Sequence, residues 1–121
     1  MASVLIIDDD TGVRRVVRGA LEKAGYRIEE ASNGAEGMQR YRTAPADLVI
    51  TDVFMPDQDG IETIQQLREE FPESRILAIS GGSVGGTSGT LTDAMLFGAD
   101  ATLAKPFTIQ ELTTAVAGLL A

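Results

Sequence analysis

The sequence predicts an α/β domain built on a parallel sheet that helices cover on both faces. Short apolar segments of strand length alternate five times with segments in which apolar residues recur at helical spacing. Strands separated by helices form parallel sheets through right-handed crossovers. The uninterrupted apolar run at residues 4–7 is typical of a strand buried on both faces. With 121 residues, 44% apolar, the chain is predicted to form a single domain over residues 1–121.

The predicted elements follow one another in strict alternation. Strands are expected at residues 3–7, 26–31, 48–51, 75–79 and 101–103. The apolar positions that mark the five helices are Val13, Val16, Val17, Ala20, Leu21 and Ala24, then Ala35, Met38 and Tyr41, then Ile61, Ile64 and Leu67, then Leu91, Ala94 and Met95, and finally Ile109, Leu112, Val116 and Leu119.

Local signals mark the helix ends. The candidate N-terminal caps are Asp10 (with Thr11 as the alternative), Asn33, Asp59 and Thr108. Glu36 and Glu111 follow two of these caps by three residues, which is the spacing of a capping box. At the C-terminal ends, Gly25 and Gly98 are expected to adopt a positive φ, and Pro72 is expected to end the third helix.

Composition excludes several kinds of site. The chain has no cysteine and no histidine, so disulfides, thiolate metal sites and imidazole catalysis are excluded. A net charge of −8 repels nucleic-acid backbones and anionic membranes. Arg14, Arg15 and Arg18 form a small basic patch, interpreted as a solvated helix face. The N-terminal apolar run is too short for a signal peptide or a membrane span. A cytoplasmic protein without nucleic-acid or membrane partners is expected.

Polar residues stand where the predicted strands end. Asp8-Asp9-Asp10 follow the first strand, Asp52 the third, Ser80 the fourth and Lys105 the fifth. In parallel sheets these carboxyl ends meet at one edge, where ligands bind. Converging carboxylates repel one another unless a cation lies among them, and all-oxygen donors favour a hard ion such as Mg²⁺. Each acid alone could be a turn residue, but together they supply the groups that phosphoryl transfer needs.

Four stretches of the chain carry a family resemblance: VLIIDDDTGVRR, LVITDVFMPDQDG, ILAISG and ATLAKPF. In these motifs, and over essentially its full length, the chain resembles the receiver domain of two-component response regulators. The resemblance implies a flavodoxin-like (βα)5 three-layer sandwich, with a parallel five-stranded sheet of order 2-1-3-4-5.

The resemblance also implies a role for each residue of the site. Asp52 matches the phosphoacceptor, Asp9 the direct Mg²⁺ ligand and Asp8 the acid that binds the metal through water. The matches that complete the site are the backbone carbonyl of Phe54 as a further metal ligand, the Ser80 hydroxyl and Lys105 as partners of the phosphoryl group, and a cis Lys105–Pro106 bond.

The function implied is that of a signalling switch. Asp52 would accept a phosphoryl group from a phosphohistidine of a sensor kinase or histidine-phosphotransfer protein, in a Mg²⁺-dependent reaction. The domain would act only on its own phosphorylation and dephosphorylation and would otherwise not be an enzyme. The partner is expected near Val13, Arg14 and Val17, and the output through the fourth helix, the fifth strand and the last helix. Downstream lies either a target protein or a C-terminal output domain, so a stand-alone regulator, a phosphorelay intermediate and an excised receiver all remain open.

Two positions depart from the family pattern. Thr102 stands where receivers commonly have an aromatic residue that swings inward on phosphorylation, and the loop at residues 81–89 is unusually rich in glycine. Thr102 keeps open the alternative of a pseudo-receiver, a protein-interaction module that is not phosphorylated.

Two enzyme or carrier alternatives fit less well. An aspartyl phosphatase needs an acid two residues after its nucleophile, where this chain has Phe54. A flavodoxin-like FMN carrier needs a phosphate-binding loop after the first strand, where Asp8, Asp9 and Asp10 repel phosphate.

Overall fold

Five parallel strands form one sheet. The computed structural model describes residues 1–53, 60–80 and 98–121. The strands are arranged in the order β2-β1-β3-β4-β5, which confirms the predicted parallel sheet and its strand order. Their bounds are β1 (Ser3–Ile7), β2 (Arg27–Ala31), β3 (Leu48–Asp52), β4 (Ile76–Ser80) and β5 (Ala101–Ala104).

Helices cover both faces of this sheet. Within the described ranges they are α1 (Thr11–Lys23), α2 (Gly34–Thr43), α3 (Gly60–Glu70) and the C-terminal helix (Ile109–Leu120). The predicted fourth helix, with Leu91, Ala94 and Met95, lies outside the described residues. In the part of the chain that is described, no helix has the length and apolar character needed to cross a membrane.

The two faces of the sheet build two separate apolar cores because successive strand residues point to opposite sides. Leu5 and Ile7 of β1 pack in the core under α2 and α3, together with Leu67. Val4 and Ile6 pack in the core under α1 and the C-terminal helix. All four β1 residues are buried, as expected for a central parallel strand.

The predicted helix caps are observed, with one correction. Asp10 accepts hydrogen bonds from the backbone N–H of Gly12 and of Val13, and Thr108 forms a complete capping box with Glu111. Asn33 caps α2, but the Glu36 carboxylate accepts from the N–H of Ser32 instead of Asn33, so the second half of that predicted box is wrong. Ser32 offers Glu36 two donors, because its hydroxyl donates to the same carboxylate oxygen as its N–H. The φ angles of 97° at Gly25 and 122° at Gly98 confirm the positive φ predicted for both glycines.

Strand register brings the site residues to one edge. Ile7 pairs with Thr51, Asp52 with Ile79, and Ser80 with Ala104. The last three strands each end one residue later than predicted, so Asp52 and Ser80 are the last strand residues of β3 and β4. Their backbone positions therefore follow from sheet pairing and not from loop geometry.

Arg68 on α3 joins the helix to the start of β5. Its guanidinium donates to the carbonyl oxygens of Pro72, Ser74 and Gly98 and forms an ion pair with Asp100, at 3.0 Å. The Asp100 carboxylate in turn accepts from the N–H of Ile76, at 2.8 Å. This network positions β5 against β4 from the side opposite to the site.

Gly37 is predicted to be required by close packing of α2 on β1. A Cβ atom there would lie 2.7 Å from Ile7 Cγ1 and closer still to Ile7 Cδ1, in a buried core that cannot easily move. Gly37→Ala should therefore lower the free energy of unfolding by about 1–2 kcal/mol, overpacking outweighing the gain in helix propensity. Gly19→Ala, on the open face of α1, should raise it by about 1 kcal/mol. Urea unfolding measures both, and equal gains would contradict the packing argument.

Candidate functional site

Three carboxylates converge at the carboxyl edge of the sheet. Asp8, Asp9 and Asp52 each offer an oxygen atom that lies within 4.8 Å of the others. Asp8 follows β1 and Asp52 ends β3, and these strands are neighbours in the sheet, which explains the proximity. Asp8 and Asp52 are only 3% and 7% exposed, whereas Asp9 is open to solvent. The predicted convergence of these three acids is therefore observed.

Lys105, just past the end of β5, contacts two acids of the same cluster. Its Nζ atom lies 3.3 Å from Asp52 Oδ2 and 3.4 Å from Asp8 Oδ2. It follows β5 directly, and the Lys105–Pro106 bond is cis, as expected. Burial lowers the pKa of Lys105, but the charges of Asp52 and Asp8 outweigh that effect and raise the pKa. The ammonium group thus stays charged between two carboxylates.

The surroundings of Asp8 disfavour the ionised form of its carboxyl group. Burial, with a further contribution from the Asp52 charge, raises the pKa of Asp8 to about 6. The Asp10 N–H, which donates to Asp8 Oδ1 at 2.9 Å, and Lys105 both act in the opposite direction. The hydrogen bond from Asp10 and the charge of Lys105 therefore do not fully compensate for the burial of the Asp8 carboxylate.

This set of donors fits a hard divalent cation. All three ligand groups are carboxylates, they lie close enough to share one ion, and they leave an excess of negative charge beside Lys105. Oxygen-only donors in this number match the preference of Mg²⁺, which keeps several waters and takes a few carboxylates. The residues present fit the metal that the sequence predicts.

Other predicted site residues are described only in part. Ser80 ends β4, but its side chain lies outside the described residues, as do Phe54 and the loop at 81–89. Thr102 lies half-buried on β5, paired with Ala78. The roles assigned to Ser80 and Phe54 remain predictions.

The predicted docking residues on α1 need correction. Val17 is 1% exposed because it packs in the core against the sheet, so it offers a partner almost no surface. Arg14 also turns inward: its side chain is 14% exposed and pairs with Glu30 of β2. Val16, 58% exposed, is the apolar residue that α1 presents to solvent. Sequence periodicity already places Val17 in the middle of the apolar stripe, one turn from Val13 and from Leu21, and Val16 at its edge, so Val17 was a poor choice of docking residue.

The comparisons with known proteins agree with this geometry. The model of the response regulator receiver domain family matches residues 4–117. The chain belongs to this family. Receivers are regulatory domains of two-component signal transduction, so the chain is a signalling domain and not an enzyme of metabolism.

Individual relatives are similar over nearly the whole chain. The response regulator receiver protein CpdR of Brucella abortus is 33% identical, over 99% of this chain and 98% of its own length. The KDP operon transcriptional regulatory protein KdpE of Escherichia coli is 39% identical, but the chain spans only 48% of its length. The crystal structure of the chemotaxis response regulator CheY4 of Vibrio cholerae superposes with a TM-score of 0.86 at 30% identity, covering 99% of both chains. The chain spans about half or less of several other curated relatives, including ResD of Bacillus subtilis.

Asp8→Asn is predicted to stabilise the metal-free receiver at neutral pH. Because the pKa of Asp8 is raised from 3.8 to about 6, the folded state loses stability as pH rises through this range. An asparagine oxygen can still accept from Asp10 N–H, so the substitution should raise the free energy of unfolding at pH 7.5 by about 2 kcal/mol. The gain should shrink as pH falls and vanish below about pH 4.

Urea unfolding in EDTA at the two ends of this pH range measures the effect. Glu73→Gln, at an exposed position, is the matched control and should change stability by no more than about 0.5 kcal/mol. A gain from Asp8→Asn that does not depend on pH would contradict the electrostatic cause.

Proposed function

We propose that Asp52 accepts a phosphoryl group from a phosphohistidine of a sensor kinase or histidine-phosphotransfer protein, and that this switches partner binding. The observation that carries the proposal is the arrangement of Asp8, Asp9 and Asp52 within 4.8 Å of one another, with Lys105 bridging two of them. Burying two acids beside a lysine lowers the stability of the fold. Groups in such an arrangement are typical of functional sites, which favours chemistry at Asp52. Membership of the receiver family supports the same reading.

The reaction is a transfer between two nucleophiles. An oxygen of the Asp52 carboxylate forms a bond to phosphorus, the phosphorus–nitrogen bond of the donor breaks, and the imidazole leaves with a proton from solvent. Lys105 already lies beside Asp52 and is available to bind an oxygen of the incoming group. Mg²⁺ held by Asp8, Asp9 and Asp52 would supply positive charge that offsets the charge of the phosphoryl oxygens. The product is an acyl phosphate, which water hydrolyses, so the domain would act only on its own modification.

The phosphodonor is proposed to dock beside α1. A cavity of about 670 Å³ lies between this helix and the segment after β5, and its apolar walls include Val13, Val16 and Phe107. It borders Lys105, so a partner seated there would face the acid cluster. This surface keeps Val13 from the sequence-based choice and adds Val16, whereas Val17 contributes only a little surface to the cavity wall and Arg14 does not line it. The cytoplasmic location expected from the sequence stays a prediction.

One residue favours the alternative function of a pseudo-receiver. Thr102 on β5 lacks the ring that commonly reports phosphorylation in receivers, so the output route is not the usual aromatic switch. A module that binds partners without phosphorylation would need neither the metal nor a reactive Asp52. The two functions therefore differ in how the chain responds to Mg²⁺ and to a phosphoryl mimic.

Amide NMR spectra of the free chain, of the chain with Mg²⁺, and of the chain with Mg²⁺ and beryllofluoride test the proposal. Mg²⁺ should first shift the amides of Asp8, Asp9 and Asp52, because these acids are the expected ligands. Beryllofluoride, which mimics the phosphoryl group, should then shift Lys105 and residues of β5. Asp52→Asn should abolish the beryllofluoride response.

Asp10→Asn is the matched control for Asp52→Asn. Asp10 lies in the same acidic run but caps α1, a task that asparagine performs equally well. This variant should therefore keep both responses. Shifts that stop at the acid cluster would indicate a phosphoryl carrier with weak output. No response of the unmodified chain to either ion would overturn phosphorylation and favour the pseudo-receiver.

A further inference from the structure

Arg14 joins three parts of the chain beside the acid cluster. From α1, its Nη1 donates to the carbonyl oxygen of Asp8 at 2.5 Å and its Nε donates to Glu30 Oε1 of β2 at 3.1 Å. Its Nη2 lies 3.3 Å from the hydroxyl of Thr11, the first residue of α1. A guanidinium is rigid and planar, so these contacts fix one another. The side chain is largely withdrawn from solvent.

The carbonyl that Arg14 binds belongs to the peptide between the first two acids. Asp8 has further restraints, because its N–H donates to Ala31 and its carboxylate accepts from the N–H of Asp10. Within the described part of the chain, the exposed Asp9 side chain makes no hydrogen bond or ion pair. The orientation of Asp9 thus depends on the peptide that Arg14 holds.

Glu30 is a firm anchor for Arg14. Its other carboxylate oxygen accepts from Arg18 at 2.6 Å, and hydrogen bonds from Arg18 and Arg14 outweigh burial and lower the pKa of Glu30. Glu30 therefore remains ionised and tied to α1 through two arginines. If Arg14 were a surface residue for partner docking, its guanidinium would not be committed to the strand ends.

We propose that Arg14 is a positioning residue for the cation site: it orients the Asp8–Asp9 peptide so that Asp9 is preorganised to bind Mg²⁺. The proposal rests on the function proposed above, since it requires that Asp8 and Asp9 bind the metal. Mutation of a group that hydrogen-bonds to metal ligands and orients them commonly weakens metal affinity by about 10–100-fold. The positive charge of Arg14 acts in the opposite direction, because a nearby cation repels Mg²⁺. If positioning dominates, replacing Arg14 by an uncharged residue weakens Mg²⁺ binding. If charge repulsion dominates, the same replacement strengthens Mg²⁺ binding.

Arg14→Met and Arg18→Met form a matched pair for the test. Each removes one arginine of α1 and one ion pair with Glu30, but only Arg14 touches the Asp8 carbonyl. Mg²⁺ alone is titrated into each purified full chain, and the amide signals of Asp9 and Asp52 report binding. Arg14→Met should weaken Mg²⁺ binding about tenfold, whereas Arg18→Met should stay within about twofold of the unmodified chain.

Arg14→Lys keeps the charge but cannot bridge both acceptors, so it should also bind Mg²⁺ more weakly than the unmodified chain. It also serves as the test if Arg14→Met does not fold, which urea unfolding of all variants establishes. Unchanged or tighter binding in the folded Arg14 variants would overturn the positioning role, as would equal weakening in Arg18→Met. Failure of the unmodified chain to bind Mg²⁺ would instead overturn the proposed function.

Discussion

The structure depends on an electrostatic constraint: buried carboxylates from two neighbouring strands meet at one edge of the sheet. Asp8 and Asp52 are nearly inaccessible to solvent, and Asp9 adds a third negative charge beside them. Lys105 lies within 3.4 Å of both buried acids, yet the pKa of Asp8 is still raised to about 6. The cluster thus stores unfavourable free energy that an added cation would relieve, which is the relation expected of a binding site.

The rest of the fold can hold such a cluster because its strands are rigidly packed. β1 is buried on both faces, with Leu5 and Ile7 against one pair of helices and Val4 and Ile6 against the other. The close approach of α2 to Ile7 at Gly37 fixes the strand just before the acids begin. A strand end held in this way keeps carboxylates close together that would otherwise move apart.

Arginine side chains extend this rigidity to segments without strand pairing. Arg14 ties the end of β1 to β2 beside the acids, and Arg68 ties α3 to the start of β5 at the opposite end. Both guanidinium groups bind backbone carbonyls as well as a carboxylate, so each fixes the path of the main chain. Although the chain has a net negative charge, these two arginines have specific partners within the fold.

Much of this could be predicted from the sequence. Alternating periodicity predicted all five strands to within one residue at each end, and the Asp10 and Thr108 caps followed from local spacing. The acids and Lys105 were predicted to converge because they end strands of one parallel sheet. The inward turn of Arg14 could not be predicted, since its partner Glu30 becomes a neighbour only when β2 pairs with β1. Val17 was misassigned for a different reason: it lies one turn from Val13 and from Leu21, in the middle of the apolar stripe of α1, so the sequence pattern itself indicated its burial.

The sequence by itself determined which residue types stand at the strand ends, and hence the acidic, histidine-free chemistry of the site. Local signals act over a few residues, so periodicity, caps and turn glycines are readable without a fold. Only the tertiary structure decided which acids are buried, which carboxyl has its pKa raised and which arginine binds the backbone carbonyl of Asp8. Those properties arise from burial and from contacts between Arg14 and Glu30, or Lys105 and Asp8, that are far apart in the chain and meet only when the sheet forms.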